Sequence, residues 1–147
     1  MDKKIAIGAD HAGFELKEEI KKVLQELNYE VVDFGTNSSD SVDYPLIAKT
    51  LATQVANKNP SQGILVCGTG IGMSIAANKV KGIIAALCKD TETAKLARLH
   101  NNSNILALGG RTTDPQQAKE IVKTWLATEF DGGRHQRRVQ EIRELEK

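Results

Sequence analysis

The chain has no apolar run long enough to cross a bilayer, almost no net charge and only two cysteines. Each shortage closes off a class of function. Without some stretch of about 20 apolar residues there is no membrane-spanning helix to place. With 20 lysines and arginines against 19 acidic residues, a formal charge of +1 gives no whole-chain attraction to nucleic acid or membrane. Recognition of an anion must therefore be local. Cys67 and Cys88 stand on separate strand-like segments, without metal-ligand spacing and without Cys-x-x-Cys, which sets aside a disulfide framework, a zinc site and a thiol redox pair. Met1-Asp2-Lys3-Lys4 leads straight into a strand-like segment rather than a signal sequence, so a cytoplasmic protein with two free thiols is expected. A chain of 147 residues suits one compact domain, read as residues 1–147.

What is present is an alternation of strands and helices. Lys4-Ile5-Ala6-Ile7-Gly8 reads as a buried strand, and Phe14 to Leu27 carries Leu16, Ile20, Val23, Leu24 and Leu27 at helical spacing. A second strand, Glu30 to Phe34, precedes a polar loop that reaches Asp43-Tyr44-Pro45. Pro45 suits a first helical turn, with Leu46, Ile47, Thr50, Leu51 and Val55 as its inward stripe. Further strands are expected at Gly63–Val66, from Gly82 through Leu87, and at Asn104–Leu108, with helices at Met73–Lys79 and from Asp90 or Thr91 to about Leu99. Asp114-Pro115-Gln116-Gln117 has an acidic N-cap, proline at the first helical position and glutamine at the third. Five strands separated by helices imply right-handed βαβ units and a three-layer, doubly wound, Rossmann-like α/β fold around a parallel sheet. The expected strand order is 2-1-3-4-5. The tail from Arg134 to Lys147 reads as a charged helix with a thin apolar line, either solvated or docked on a second subunit.

The richest stretch is Cys67-Gly68-Thr69-Gly70-Ile71-Gly72, between a strand and a helix. Its three glycines let the backbone take positive φ and approach a ligand closely. A helix start presents unpaired N–H donors to an anion and favours the thiolate form of a cysteine, so Cys67 is a candidate base. The loop is not a nucleotide fingerprint: a dinucleotide motif needs glycine where Met73 stands, and a P-loop needs a closing Gly-Lys-Ser/Thr. Ligands of open parallel sheets bind beyond the strands' carboxyl ends. There the sequence places Asp10 and His11, Cys67, and Arg111: an acid, an imidazole, a thiol and a guanidinium on one rim. Arg134 and Arg138, four apart, share a helix face and can clamp a phosphate. Each feature also has a packing reading. The glycines can serve a tight turn, Cys67 can be a small buried hydrophobe, and Asp10 and His11 can cap a helix. His100 can answer a helix dipole, Tyr44 can pack, and the arginines can be solvated. Cys88 is read as structural. Only the combination favours function.

Gly8-Ala9-Asp10-His11-Ala12-Gly13-Phe14, Asp43-Tyr44-Pro45, the Cys67–Gly72 loop, Ile75-Ala76-Ala77-Asn78-Lys79, His100-Asn101-Asn102 and Gly133-Arg134-His135-Gln136-Arg137-Arg138-Val139 closely resemble the type B ribose-5-phosphate isomerases. The resemblance spans nearly the whole chain. It implies a cofactor-free, metal-free aldose–ketose isomerisation between D-ribose 5-phosphate and D-ribulose 5-phosphate through a cis-enediolate. Cys67 would be the base and Thr69 a proton shuttle between oxygens, while backbone donors across Gly68, Gly70, Ile71 and Gly72 would stabilise the enediolate. His100 with Asp10 would open the furanose ring. His11, Arg111, Arg134 and Arg138 would hold phosphate, and Tyr44 and Asn101 would contact the sugar. The resemblance also implies a homodimer, able to pair further, with the active site at the subunit interface. Ile84 departs from it, since similar sequences often have arginine there. The same chemistry on allose 6-phosphate or galactose 6-phosphate is the nearest rival. A phosphate-binding regulatory module is disfavoured, because Cys67 ends the third strand where a receiver would need aspartate. Pentose-phosphate metabolism and breakdown of a rarer sugar both remain open as pathways.

Overall fold

The structure is a computed structural model that describes residues 3–146; Met1 and Asp2 of the expected leader-free start, and Lys147 of the tail, lie outside the described residues. Strands and helices alternate as the apolar spacing predicts: β1 (Lys4–Ala9), α1 (Phe14–Glu26), β2 (Glu30–Asp33), α2 (Tyr44–Ala56), β3 (Gly63–Cys67), α3 (Ile71–Ala77), β4 (Ala85–Leu87), α4 (Thr91–Asn101), β5 (Ile105–Gly109), α5 (Pro115–Ala127) and α6 (Arg134–Glu144). Local chemistry sets the helix starts. Asp114 accepts from the N–H groups of Gln116 and Gln117, and Asp90 forms a capping box with Thr93.

All strand pairings are parallel. Side chains leave the strands with period two, giving one core on each face. Ile5, Ile7, Ala9, Ile64, Val66, Leu106 and Leu108 meet helices α1, α4 and α5 on one side. Ala6, Leu65, Cys67 and Ile105 meet α2 and α3 on the other. The three-layer Rossmann-like fold class is therefore as expected.

The order differs at one edge: the sheet runs β2-β1-β3-β5-β4, not 2-1-3-4-5. Burial explains the exchange. Every residue of β5 is buried, whereas β4 is three residues long, half-buried at best, and ends on exposed Leu87. The Asn78 side chain takes both the N–H and the C=O of Ala85, at 2.8 and 2.9 Å, and so blunts an edge strand. Asn104 holds Ile84 N–H and Gly82 C=O at 2.8 Å each, which keeps Gly82–Ile84 out of the ladder that the sequence suggested. With right-handed crossovers, the direction of travel across the sheet decides the face a helix covers. The step from β4 back to β5 reverses direction, so α4 lies with α1 on the face opposite α2 and α3.

The polar loop after β2 is anchored by a lysine with no solvent exposure. Lys17 Nζ reaches both Asp33 carboxylate oxygens, at 2.8 and 2.7 Å, and the Thr36 carbonyl at 2.6 Å. Lys21 adds a 2.8 Å ion pair to Asp33, which raises the lysine's own pKa. Burial pushes the Asp33 carboxyl up, but hydrogen bonds from Lys17, Lys21 and the Gly35 N–H outweigh it and hold the group below the usual carboxylate range. The anchored segment then lies against β1, where the Thr36 N–H donates to the Ala9 carbonyl and the Ala9 N–H to that of Gly35.

Removing Asp33 leaves Lys17 buried without its carboxylate. Asp33→Ala should lose about 3 kcal/mol in urea unfolding at neutral pH. A pKa depressed in the folded state contributes stability above the unfolded carboxylate range and loses it as pH falls through the folded value. The wild-type advantage over Asp33→Ala should accordingly shrink on acidification, and a pH-independent difference would show that the ion pair is not its source.

Candidate active site

Strand order reverses at β1 and β3, and the crevice beyond their carboxyl ends is where an open parallel sheet binds ligands. An open cleft of about 390 Å³ lies there, lined by Asp10, Tyr44, Cys67, Gly68, Thr69, Ile71, Gly72 and Ile75. Cys67 is the last residue of β3, and Gly70 turns the chain into α3 with φ of 81°. That turn aims the Gly70 N–H at Cys67 Sγ, 3.2 Å away. A left-handed backbone favours glycine, and a Cβ would also sit 2.9 Å from the Leu108 carbonyl carbon. Starting the helix at this turn puts Ile71 in α3, two residues before the expected Met73. At Gly72 the reason is close approach: a Cβ would meet the Tyr44 ring at 2.6–2.7 Å, so the phenol lies directly over this glycine.

The neighbouring groups are held in place by the backbone. Asp10 is buried, and its Oδ1 accepts from the N–H groups of Ala12 and Gly13 at 2.9 and 3.1 Å. His11 Nδ1 accepts from the Val42 N–H at 3.2 Å, which leaves the proton of the neutral ring on Nε2. Thr69 Oγ1 accepts from the Ile71 N–H at 3.2 Å, so its own proton is free to point elsewhere. Arg111 donates its backbone N–H to Gly68 O at 2.9 Å, and its side chain lies beside Gly68. Asp10, His11, Cys67, Thr69 and Arg111 thus share one rim with Tyr44, Gly68, Gly70, Ile71 and Gly72.

His100, Asn101, Arg134 and Arg138 are not at that rim. Helix α4 starts at the carboxyl ends of the strands and runs back, so its last turn, with His100 and Asn101, reaches the opposite end of the sheet. The Gly63 N–H donates to Asn104 O at 3.0 Å, which fixes this segment beside the first residue of β3; Cys67 is the last. Four strand steps separate those levels by roughly 13 Å. The Asp131 N–H donates to Leu99 O at 3.1 Å and brings the start of α6 to the same end. There His100 and His135 stack, with ring centroids 4.1 Å apart and planes 17° from parallel, while Arg134 and Arg138 are exposed. Helix α6 rests on its own chain through buried His135 and Val139, and the Glu146 carboxylate accepts from the Gly82 N–H at 3.0 Å. Toward its C-terminal end the same apolar line, with Ile142 and Leu145, remains exposed.

Burial pushes the Cys88 thiol up to about 11 against an opposing hydrogen bond from Thr93, which fits its reading as structural. The sequence reading passed over three residues. Ile75 lines the cleft and Lys17 anchors the loop after β2; the only sign of the latter was a place in line with Phe14 and Leu24 on α1. His135 lay within a quoted motif, yet nothing in the spacing marked its contact with His100.

Sheet, switch-point cleft and thiol–glycine loop together define an α/β protein with a buried thiol at the end of its third strand. The chain matches the model of the Ribose/Galactose Isomerase family over residues 5–142. It is 50% identical to ribose-5-phosphate isomerase B of Escherichia coli (strain K12) over 144 residues, 98% of this chain and 97% of that protein. It is 46% identical to the D-erythrulose-4-phosphate isomerase of Pectobacterium atrosepticum over 139 residues, 94% of this chain and 91% of that one. The solved ribose-5-phosphate isomerase B of Clostridium thermocellum superposes with a TM-score of 0.96 at 51% identity, covering 97% of each chain. The chain belongs to the ribose/galactose isomerase family.

The two thiols should differ sharply in reactivity. Iodoacetamide at neutral pH is expected to alkylate Cys67 and spare Cys88, read by peptide mass spectrometry. Preferential labelling of Cys88 would remove the case for Cys67 as the reactive thiol. Gly70→Ala should abolish activity, because it forces the loop off its left-handed turn and pulls the N–H from the sulfur.

Proposed function

We propose that this chain is an aldose–ketose isomerase interconverting D-ribose 5-phosphate and D-ribulose 5-phosphate, with residues 1–147 acting as one domain and each working site built from two copies. The observation that carries the reading is Cys67, held by the Gly70 N–H in a cleft it shares with Asp10 and Thr69. In the first step the furanose opens. His100 gives a proton to the ring oxygen O4 as the C1–O4 bond breaks, and the Asp10 oxygen not engaged by Ala12 and Gly13 takes the proton of the C1 hydroxyl, leaving an aldehyde. The Cys67 thiolate then removes the C2 proton and forms the enediolate. Thr69 passes a proton from O2 to O1, and Cys67 returns its proton to C1, which leaves the ketone at C2. Loop N–H groups stabilise the charge on the oxygens, at about 10²–10³ in rate per donor in comparable sites. Gly70 spends its N–H on the sulfur instead.

His100 lies a sheet's depth from Cys67 in its own chain, so in this reading it acts on the rim of a second copy. A two-fold axis places the rim of each chain against the far end of the other, making two equivalent sites. Around the cleft Leu46, Ile71 and Ile75 stand 52–69% exposed, a cluster suited to burial against such a partner. His11 and Arg111 of one copy, with Arg134 and Arg138 of the other, then hold the phosphate, and Tyr44 and Asn101 border the sugar. A cytoplasmic location belongs to this reading because a charged sugar phosphate does not cross membranes freely.

Cys67→Ala should stop exchange of substrate carbon-bound protons with D2O; full exchange in that variant would remove Cys67 as the base. Mixing inactive Cys67→Ala and His100→Gln proteins under subunit exchange should restore about a quarter of wild-type activity, because half the dimers are hybrids and each hybrid has one intact site. No recovery would place both groups in one chain's site. Turnover of ribose 5-phosphate should exceed that of allose 6-phosphate, galactose 6-phosphate and erythrose 4-phosphate, and a preference for any of these would reassign the substrate.

A further inference from the structure

At the end of the sheet far from the thiol, two of the three histidines lie face to face. His100 is in the last turn of α4 and His135 in the first turn of α6. The backbone fixes both. The Asp131 N–H is bound to Leu99 O at 3.1 Å, Gly132 and Gly133 turn the chain with φ of 70° and 55°, and the His135 N–H donates to Gly132 O at 3.0 Å. His135 is only 8% exposed, with its ring laid on His100 at a centroid distance of 4.1 Å. His100 is partly open to solvent. One ring is therefore a buried plate, and the other is backed by it on one face and reachable from outside.

We propose that His135 is a positioning residue for this reaction: by stacking on His100 it sets the plane in which that imidazole meets the ring oxygen of the sugar. The inference rests on the reading of His100 as the ring-opening group. An imidazole free to rotate about two side-chain torsions seldom points a nitrogen at one oxygen, and misplacement of this kind costs rate without weakening binding much. A plate can do this only while it stays uncharged, because two imidazolium rings 4 Å apart repel. The groups facing His135 keep it so. Burial lowers its pKa first, followed by His100 on α4 and by Arg134 and Arg138 on α6; Asp131, in the preceding turn, pulls the other way. His135 thus stays neutral until the pH falls below the ordinary imidazole range, where its own proton ends its use as a plate.

Ribulose 5-phosphate provides the control, since O5, the oxygen that could close a furanose ring on its C2 ketone, is esterified and there is no ring to open. In His135→Ala, kcat for ribose 5-phosphate should fall about 10- to 100-fold with KM little changed. Exchange of the C1 proton of ribulose 5-phosphate with D2O should stay near the wild-type rate. His135→Phe keeps a flat ring and should recover most of the lost kcat. It should also reduce the acid limb of kcat/KM from a two-proton slope to a one-proton slope. Equal losses of isomerisation and exchange in His135→Ala at unchanged melting temperature, or a Phe variant no better than Ala, would overturn the proposal. If His100→Gln opens ribose 5-phosphate at the wild-type rate while Cys67→Ala blocks exchange, the ring-opening role of His100 is wrong, the proposal falls with it, and the base assignment survives.

Discussion

The rest of the structure depends on one constraint: every strand of the sheet points the same way, and connections between parallel strands cross over with a right hand. A parallel strand must be followed by an element that carries the chain back, so loops after strands gather at one end and helix ends at the other. Residues a few positions past a strand, such as Asp10, His11, Cys67, Thr69 and Arg111, meet whatever their distance in sequence. Residues that close a helix, such as His100, are sent away from them. The same constraint sorts the helices. Outward steps from β2 to β3 and on to β4 place α2 and α3 on one face, and backward steps place α1 and α4 on the other. No side-chain adjustment inside one chain can bring His100 along the length of the strands to Cys67, and that separation is what motivates the two-chain site in the proposed function.

Within the rim the chemistry is set by backbone rather than by charged side chains. Gly70 can point its N–H at Cys67 because only a left-handed residue reverses the chain fast enough after β3. Asp10 is buried and stabilised by two N–H groups of the next turn, so it keeps its place without a cation beside it. Lys17 does the complementary work behind the rim. A buried ammonium with three acceptor atoms pins the loop that carries Asp33 to Thr36 against β1, and His11 is held from the same side by the Val42 N–H. The groups that shape the cleft are thus held by hydrogen bonds already in place before any ligand arrives. That is the condition under which electrostatic stabilisation costs little reorganisation.

Much of this was legible in the sequence, and the failures have physical causes. Strand and helix identity follow from apolar period, and the rim residues follow from their places just after strands. The order of β4 and β5 was not legible, because Ile83-Ile84-Ala85-Ala86-Leu87 is as apolar as Ile105-Ala107 and its neighbours. What separates them is Asn78 and Asn104 taking backbone groups of the first segment, and a side chain's reach to a strand edge leaves no period. Lys17 was hidden for the opposite reason, since a lysine among leucines on a helix reads as solvated until its carboxylate partner is found 16 residues away. Spacing puts His100 at the close of a helix, and only the resemblance links it with Cys67. Motif content carries no information about which end of a sheet a residue occupies; that comes from the direction of α4.

A site divided between copies changes what determines substrate length. If base and phosphate clamp belonged to one packed core, altering the span between them would mean altering the core, where a single methylene is felt. If Cys67 works on one chain and Arg134 and Arg138 on another, as proposed, the span is set by how two rigid bodies dock. Residues such as Leu46, Ile71 and Ile75 can change that docking by a fraction of an ångström while both cores stay intact. Relatives named for five-carbon and four-carbon phosphates, 50% and 46% identical to this chain, would follow from such a division. The specificity-bearing differences should then be sought on the docking surface and the arginine helix, not around the thiol, whose task is the same whatever the length of the sugar.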